Sequence, residues 1–390
     1  MPCYISSNDN RLYVTLEEDY GSVGAVGTAE RIPAVRLRAQ QRMRKVDRRD
    51  KTGTRTFSGY PEGISRETAF ELTTYLAAWA DPGGSPAHGP LIEAALGSEP
   101  VRFSGAVVDS CPDGRSVTVS GSHGLQVGQA VAFGGEIRFV ESIGSPQSVV
   151  LNAPYSVLPN SGSSLSTTIT YRPENALKGV SLFDYWGPAS AVQRVITGCA
   201  INKARISING DFHQFEFSGP AKDLLDSATF EAGQGGLATY PVEPPIGQSN
   251  YALIPGNLGQ VWLGVAPTRH FTLTEAEIVI DNDVDLRSRE FGLQGPRCIV
   301  PGERTVSITF ALYDQGSDST KELYQAARHR TPISAMLQLG EQPGQLFGIY
   351  MPNVVPEVPE FDDGERRLQW RFSQSRAQGA GSDEVVLAFA

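Results

Sequence analysis

Two stretches decide how the chain reads: residues 201–220, INKARISINGDFHQFEFSGP, and residues 273–296, LTEAEIVIDNDVDLRSREFGLQGP. In both, apolar residues alternate with polar ones, the period of a strand with one buried face. Set without gaps, Ala204 meets Ala276, Ile206 meets Ile278, Ile208 meets Ile280 and Asp211 meets Asp283. With four extra residues allowed in the second turn, Phe215 meets Phe291, Phe217 meets Leu293, Gly219 meets Gly295 and Pro220 meets Pro296. Each copy then spells strand, turn, strand, Gly-Pro. The offset of 72 positions exceeds the roughly 20–50 residues of a solenoid repeat, so the expectation is two related domains rather than an array.

The same alternation, bounded by Gly, Pro, Asn and Asp, runs through most of the chain and predicts antiparallel strands. In ETAFELTTYLAAW it places Phe70, Leu72, Thr74 and Leu76 on one face; a helix is the other reading, and the threonines and aromatics favour a strand. RRLQWRFSQ sets Leu368, Trp370 and Phe372 against Arg367, Gln369 and Arg371. Two segments read as helices. HGPLIEAALG has Pro90 in its first turn and Gly97 as a C-terminal cap. DSTKELYQAARHR pairs Ser319 with Glu322 as a capping box, puts Leu323, Ala326 and Ala327 on one face, and ends in Arg328, His329 and Arg330.

Between residues 98 and 166 the texture changes to short strands separated by glycine-rich turns: VRFSGAVVD, RSVTVSG, QAVAFGG, IRFVESI and SVVLNAPY. This spacing predicts a small barrel, with NSGSSLSTT as its exit linker. A folded module is tolerated where it interrupts a host at a loop tip. The organisation expected is therefore a first domain in two parts (1–97 and 167–240), an inserted barrel (98–166) and a second domain (243–390).

At 390 residues, 40% hydrophobic and 19% charged, the chain can bury more than one core. No apolar run approaches the roughly 18 residues that cross a bilayer. The first residues, MPCYISSNDNRLYVTLEEDYG, lack the basic start and apolar stretch of a signal peptide, so a chain that folds in a cytoplasm is expected. Net charge is −10, yet residues 31–55 hold ten Lys or Arg against two Asp, leaving 23 basic and 41 acidic groups in the remainder. Such polarity suits a nucleic-acid patch, a solvated strand face, or a surface that meets the acidic surface of another copy. No aromatic residue lies between Arg31 and Arg55, which counts against single-stranded nucleic acid.

Little chemistry assembles. Cys3, Cys111, Cys199 and Cys298 are far apart and lack the CxxC spacing of a zinc set. Asp281, Asp283 and Asp285 open like a calcium loop, but its sixth and twelfth positions are Leu286 and Gly292 where the loop needs Gly and Glu; an acidic hairpin turn fits better. GQGGLATYP lacks phosphate-cradle spacing, and His88, His123, His213, His270 and His329 accompany no catalytic signature. His213 reads as a core histidine beside Phe215 and Phe217, and Asp362 with Asp363 as a solvated turn. The expectation is no enzyme and no cofactor.

GPLIEAALG, HGLQVGQAV, LNAPYSVLPNSGSSLSTTITYRP, GCAINKARISINGDFHQFEFSGPAKDLLDS and RRLQWRFSQSRAQGAGSDEVVLAFA together resemble the major tail tube proteins of long-tailed, siphovirus-like bacteriophages. The resemblance implies a mainly β fold of β-sandwich or half-barrel domains, each with a flanking helix. It implies rings stacked beneath the capsid, with genomic DNA passing through the lumen unbound and no membrane involved. Other implied partners are the terminator, baseplate or distal tail, and tape measure proteins, in a virion tail assembled in the host cytoplasm. Simple tube proteins of this kind form rings of six, so a chain with two tube domains would form a trimer of pseudo-sixfold symmetry. Ring closure also removes exposed sheet edges.

An acidic lumen wall would leave DNA mobile. The basic residues Arg36, Arg38, Arg42, Arg44, Lys45, Arg48 and Arg49 are then expected at a ring-to-ring or domain-to-domain contact, facing Asp281, Asp283 and Asp285 or the loop 362–365. The inserted barrel would project outward. Many tube proteins are shorter and carry an accessory domain at the C-terminus, whereas this one lies inside the first domain. Two other readings stand: a baseplate, terminator or adaptor ring protein of the virion, or a carbohydrate-binding or hydrolytic all-β protein. The wide spacing of Trp79, Trp186, Trp262 and Trp370 counts against the last.

Overall fold

The computed structural model describes residues 4–43, 50–57, 59–60, 66–79, 81–187, 192–246, 252–286, 291–292, 295–314, 318–364 and 366–390. Before the insert come β1 (Asn10–Leu16), β2 (Ala34–Met43), β3 (Arg66–Tyr75), α1 (Gly89–Leu96) and β4 (Val101–Phe103). The insert supplies β5 (Val108–Ser110), β6 (Ser116–Val119), β7 (Ala130–Phe133), β8 (Glu136–Ser145) and β9 (Ser148–Leu151). After it follow β10 (Thr168–Tyr171), β11 (Val180–Trp186), β12 (Val192–Cys199), β13 (Lys203–Ile208), β14 (Gln214–Ala221) and β15 (Asp223–Asp226). The remainder holds β16 (Gly259–Gly264), β17 (Thr268–His270), β18 (Leu273–Asp281), β19 (Thr305–Tyr313), α2 (Asp318–His329), β20 (Ile333–Leu339), β21 (Phe347–Val355), β22 (Glu360–Asp362), β23 (Gln369–Ala377) and β24 (Val386–Phe389).

The pairing order occurs twice. The early strands form an outer sheet β1-β11-β12-β15 and an inner run β2-β3-β14-β13; the late strands form β16-β20-β21-β24 and β18-β19-β23-β22. Registers agree as well as order. Tyr13 lies opposite Phe183 as Trp262 lies opposite Met336. Tyr75 and Leu72 lie opposite Gln214 and Phe217, as Tyr313 and Phe310 lie opposite Gln369 and Phe372. A bulge coincides as well, between Ala34 and Arg36 on β2 and between Leu273 and Glu275 on β18, whereas the irregularity between Ile308 and Phe310 where β19 meets β23 has no counterpart between β3 and β14. The helix between the third and fourth strands of each series buries the same pattern, Leu91, Ala94 and Ala95 in α1 and Leu323, Ala326 and Ala327 in α2.

The two inner runs join through β13 and β18, where Ile206 lies opposite Ile278 and Ala204 opposite Ile280. The strands that look most alike in sequence are therefore sheet neighbours, and β18 corresponds by pairing to β2. The expected second hairpin is also corrected: β18 turns back into β19, not into residues 291–296. Phe291 is fully exposed, and Leu293 lies outside the described residues. Phe215 and Phe217 are instead core residues of β14.

Alternation explains the sandwich. Phe70, Leu72, Thr74, Ile206, Phe217, Ile278, Ile308, Phe310 and Phe372 point from the inner run into a core shared with both outer sheets and both helices. β21 bends the structure into a half-barrel, since its first residues pair with β24 and Val354 and Val355 pair with β23. Gly97 caps α1 with φ +99°, a region that disfavours side chains, and its N–H donates to the Glu93 carbonyl at 2.7 Å. Gly219 allows a close crossing: a Cβ there would collide with the Ala200 carbonyl, beside the Ala200 N–H bond to the Pro220 carbonyl. Ser319 lies inside α2, so it is not the residue ahead of the helix that a capping box requires.

In the insert, the sheet β5-β6-β9-β8-β7 closes because its two edges share one segment. The Val108 N–H donates to the Ser163 carbonyl and the Ser166 N–H to the Ala132 carbonyl, each at 2.8 Å. The stretch expected as a linker is thus the closing strand of the barrel, with Leu165 in the barrel core. β4, expected to be the first barrel strand, instead pairs with β10, which pairs with β24.

Candidate assembly interface

The inner run presents one face that the chain leaves largely open, and charges of both signs line it. Arg38 pairs with Glu71 at 3.7 Å, Arg205 with Glu216 and Glu277 at 3.7 Å each, Lys203 with Asp281 at 3.0 Å and Arg371 with Glu275 at 3.0 Å. These arise because the polar positions of neighbouring strands are in register, which puts opposite charges side by side. Exposed pairs of this kind stabilise by at most about 1 kcal/mol each. Their larger effect is on what the face attracts.

Among the described residues β2 pairs only with β3, and β22 only with β23, so these strands end the inner run. On β2, Arg36, Arg38, Gln40 and Arg42 are exposed in alternation with half-buried Leu37, Ala39 and Gln41. At the other end Glu360, Phe361 and Asp362 are all exposed, with Phe361 packed edge-on to Trp370 at 5.0 Å between ring centroids. One edge is basic and the other acidic. Long open edges with no such charges invite uncontrolled pairing.

The expected contact residues are only partly brought together. Arg36, Arg38 and Arg42 share β2, while Arg44, Lys45, Arg48 and Arg49 lie outside the described residues. Asp281 ends β18, where its partner is Lys203 rather than the arginines; Asp283 and Asp285 follow in the adjoining loop. Strands β3, β14 and β13 separate this group from β2 within one chain. Sequence reasoning missed Lys203, Arg205 and Glu277, although each is a charged residue at an outward position of an alternating strand, and Glu360, whose three-residue strand is exposed throughout and shows no alternation.

A second polar cluster ties the barrel to the late outer sheet. Buried Arg138 donates to Gln260 Oε1 at 2.8 Å, Gln338 Oε1 at 3.1 Å and the Pro154 carbonyl at 3.0 Å, and lies 3.3 Å from Glu136 Oε1. Glu136 accepts from the Ser156 hydroxyl at 2.6 Å and N–H at 2.7 Å, and from Gln260. Burial pushes the Glu136 carboxyl upward, but Arg138 and the hydrogen bonds of Gln260 and Ser156 outweigh it and hold the group below its ordinary value. Around this cluster Ile137 and Phe139 pack on Trp262, Met336 and Tyr350.

Among the described residues no group of three or more His, Cys, Asp or Glu stands close enough to hold a metal ion. His88 is buried against Thr74 Oγ1 at 3.0 Å, and burial lowers its pKa to about 4. His213 is likewise buried and lowered to about 4. Neither faces the open sheet. No helix among the described residues is long and apolar enough to cross a membrane.

No curated protein matches the chain. Among protein families, the phage tail tube protein model matches residues 7–386, nearly the whole length and both series of strands. With its mainly β architecture and charged, open-edged inner run, the chain belongs to the phage tail tube protein family and is a structural subunit of a phage tail tube, a component of the virion.

Proposed function

We propose that the chain is two tube units fused in tandem, and that three copies close a ring of pseudo-sixfold symmetry in a siphovirus-like tail. The first unit is residues 1–97 with 167–240, interrupted by the barrel at 98–166, and the second is residues 243–390. The observation that carries this is the repeated pairing order with matching registers and a coincident bulge. A unit that joins its twin head to tail through β13 and β18 has the geometry of a ring step, because each unit offers the next a strand of the opposite end.

Rings stack into a tube whose inner wall is the open face of the inner runs, and the genome passes along it into the host. The wall is not the acidic surface expected from net charge, since cations and carboxylates alternate on it. Pairing still serves a conduit: a cation already matched to a carboxylate gains less from a phosphate. The barrel packs on the side of the late outer sheet away from that wall, which favours a place on the tube exterior. The terminator, distal tail and tape measure proteins meet the ends and interior of the tube, and assembly takes place in the host cytoplasm. Negative-stain microscopy of the purified protein tests the reading. Long hollow tubes support it; single closed rings indicate an adaptor, and monomers that bind sugar contradict it.

A further inference from the structure

We infer that β2 of one chain pairs with β22 of the next in the register of the internal β13–β18 junction, with the charges of that junction reversed. The inference rests on the three-chain ring proposed above and specifies its contact. Two correspondences fix the register. Leu37 lies opposite Leu72 as Ala276 lies opposite Phe310, so Arg38 occupies the place of Glu277. Glu360 lies opposite Arg371 as Arg205 lies opposite Glu216, so Asp362 occupies the place of Ser207. Inside the chain Ser207 faces Glu277, Ile206 faces Ile278 and Arg205 faces Val279. Between chains, Asp362 then faces Arg38, Phe361 faces Ala39 and Glu360 faces Gln40.

The signs are exchanged as a set. Within the chain the cation is on the closing strand, where Arg205 reaches diagonally to Glu277 at 3.7 Å. Between chains the acids Glu360 and Asp362 are on the closing strand and Arg38 on the opening one. The exchange discriminates against wrong joints. Among the described residues β13 and β18 are already paired on both sides, so the edges left to meet are β2 and β22: a β2 edge offered to another β2 would set Arg36, Arg38 and Arg42 against one another, and a β22 edge offered to another β22 would set Glu360 and Asp362 against one another. Like charges directly opposite destabilise a strand pair, so first units join only second units around the ring. On this inference Arg36, Arg38 and Arg42, expected at a ring-to-ring or domain-to-domain contact, stand at a contact within one ring.

Cysteine pairing tests the register. Opposed residues of an antiparallel pair have Cα atoms about 4.5–5.5 Å apart, within reach of a disulfide. In a background carrying Cys3→Ser and Cys298→Ser, Gln40→Cys with Glu360→Cys should cross-link chains in oxidised tubes, giving a ladder that ends at three chains. Arg36→Cys with Glu360→Cys, four residues out of register and about 13 Å away, should not. A ladder ending at six would uphold the contact and overturn the three-chain ring. No cross-linking of the in-register pair in intact tubes, or equal cross-linking of both pairs, would overturn the contact while leaving the ring reading to microscopy. Charge reversal supplies the second arm. Arg38→Glu and Asp362→Arg alone should each raise the critical concentration for assembly at least about tenfold, and together restore it. Arg38 also touches Glu71, so melting of each single variant is compared with the parent; folded singles whose double fails to recover would contradict the charge exchange.

Discussion

The two halves of the molecule carry the same frame and cover it differently. In the early half the far side of the outer sheet, with Tyr13, Phe183, Tyr185 and Val195, is roofed by the chain's own Val23, Val26, Leu237 and Tyr240. In the late half the corresponding Trp262 and Met336 are roofed by a barrel inserted into the early half. The inner runs differ in another way: β2 carries Arg36, Arg38 and Arg42 where β18 carries Glu275, Glu277 and Asp281. The apolar alternation that builds the frame is common to both halves, whereas the polar residues, which cost little to exchange at a surface, differ.

The most severe way to break the comparison is in the shared core. Phe217 on β14 and Phe372 on β23 hold the same register position and are both buried. Phe217→Ala and Phe372→Ala should each destabilise by about 4 kcal/mol in urea unfolding. Costs that differ severalfold would mean that the halves match in topology but not in mechanical role.

The next test separates the roofs. Arg138→Ala leaves Glu136 without its cation in a buried site, with an expected loss of about 3 kcal/mol or more. Limited proteolysis of this variant should cut first near β4 and β10, which flank the barrel. An unchanged unfolding midpoint would show that apolar packing alone seats the barrel.

Acid sharpens the contrast further. His88, at the start of α1, corresponds by the Leu91 and Leu323 match to Thr320 in α2, so only one helix has a titrating residue there. Its folded pKa of about 4 lies below the ordinary 6.5, so the unfolded chain binds the extra proton. Its contribution is present above pH 6.5 and is lost as pH falls toward 4, by roughly 2 kcal/mol at pH 5. His213, also lowered to about 4, adds a similar slope. Burial lowers His270 as well, so His88→Thr should reduce the pH dependence measured between these limits without abolishing it. An unaltered slope would contradict burial as its cause. The smallest effect belongs to the open face, where Arg205→Ala should cost less than about 1 kcal/mol of folding stability.

Much of the frame was legible in sequence. Period-two alternation located β3, β23 and the barrel strands, and Pro90, Gly97 and the Leu-Ala-Ala face located the helices. What repeats what was not legible. Ile alternation made β13 and β18 look equivalent because adjacent buried strands face one core and take the same residues. The better correspondences, QFEFS at 214–218 with QWRFS at 369–373 and LIEAAL at 91–96 with LYQAAR at 323–328, have different spacings because the barrel intervenes in only one half. The candidate assembly site was half legible. A run of arginines announced the β2 edge, but Glu360 and Asp362 sit on a three-residue strand inside a Pro- and Asp-rich stretch, where acidic residues ordinarily mean a solvated turn.

The central claim is that one chain supplies two equivalent steps of a ring. Image reconstruction of assembled tubes, counting chains and inner-wall lobes per ring, tests it most directly. The account predicts three chains and six near-equivalent lobes, each chain carrying one barrel; six chains with twelve lobes, or three chains whose halves occupy different radii, would contradict it.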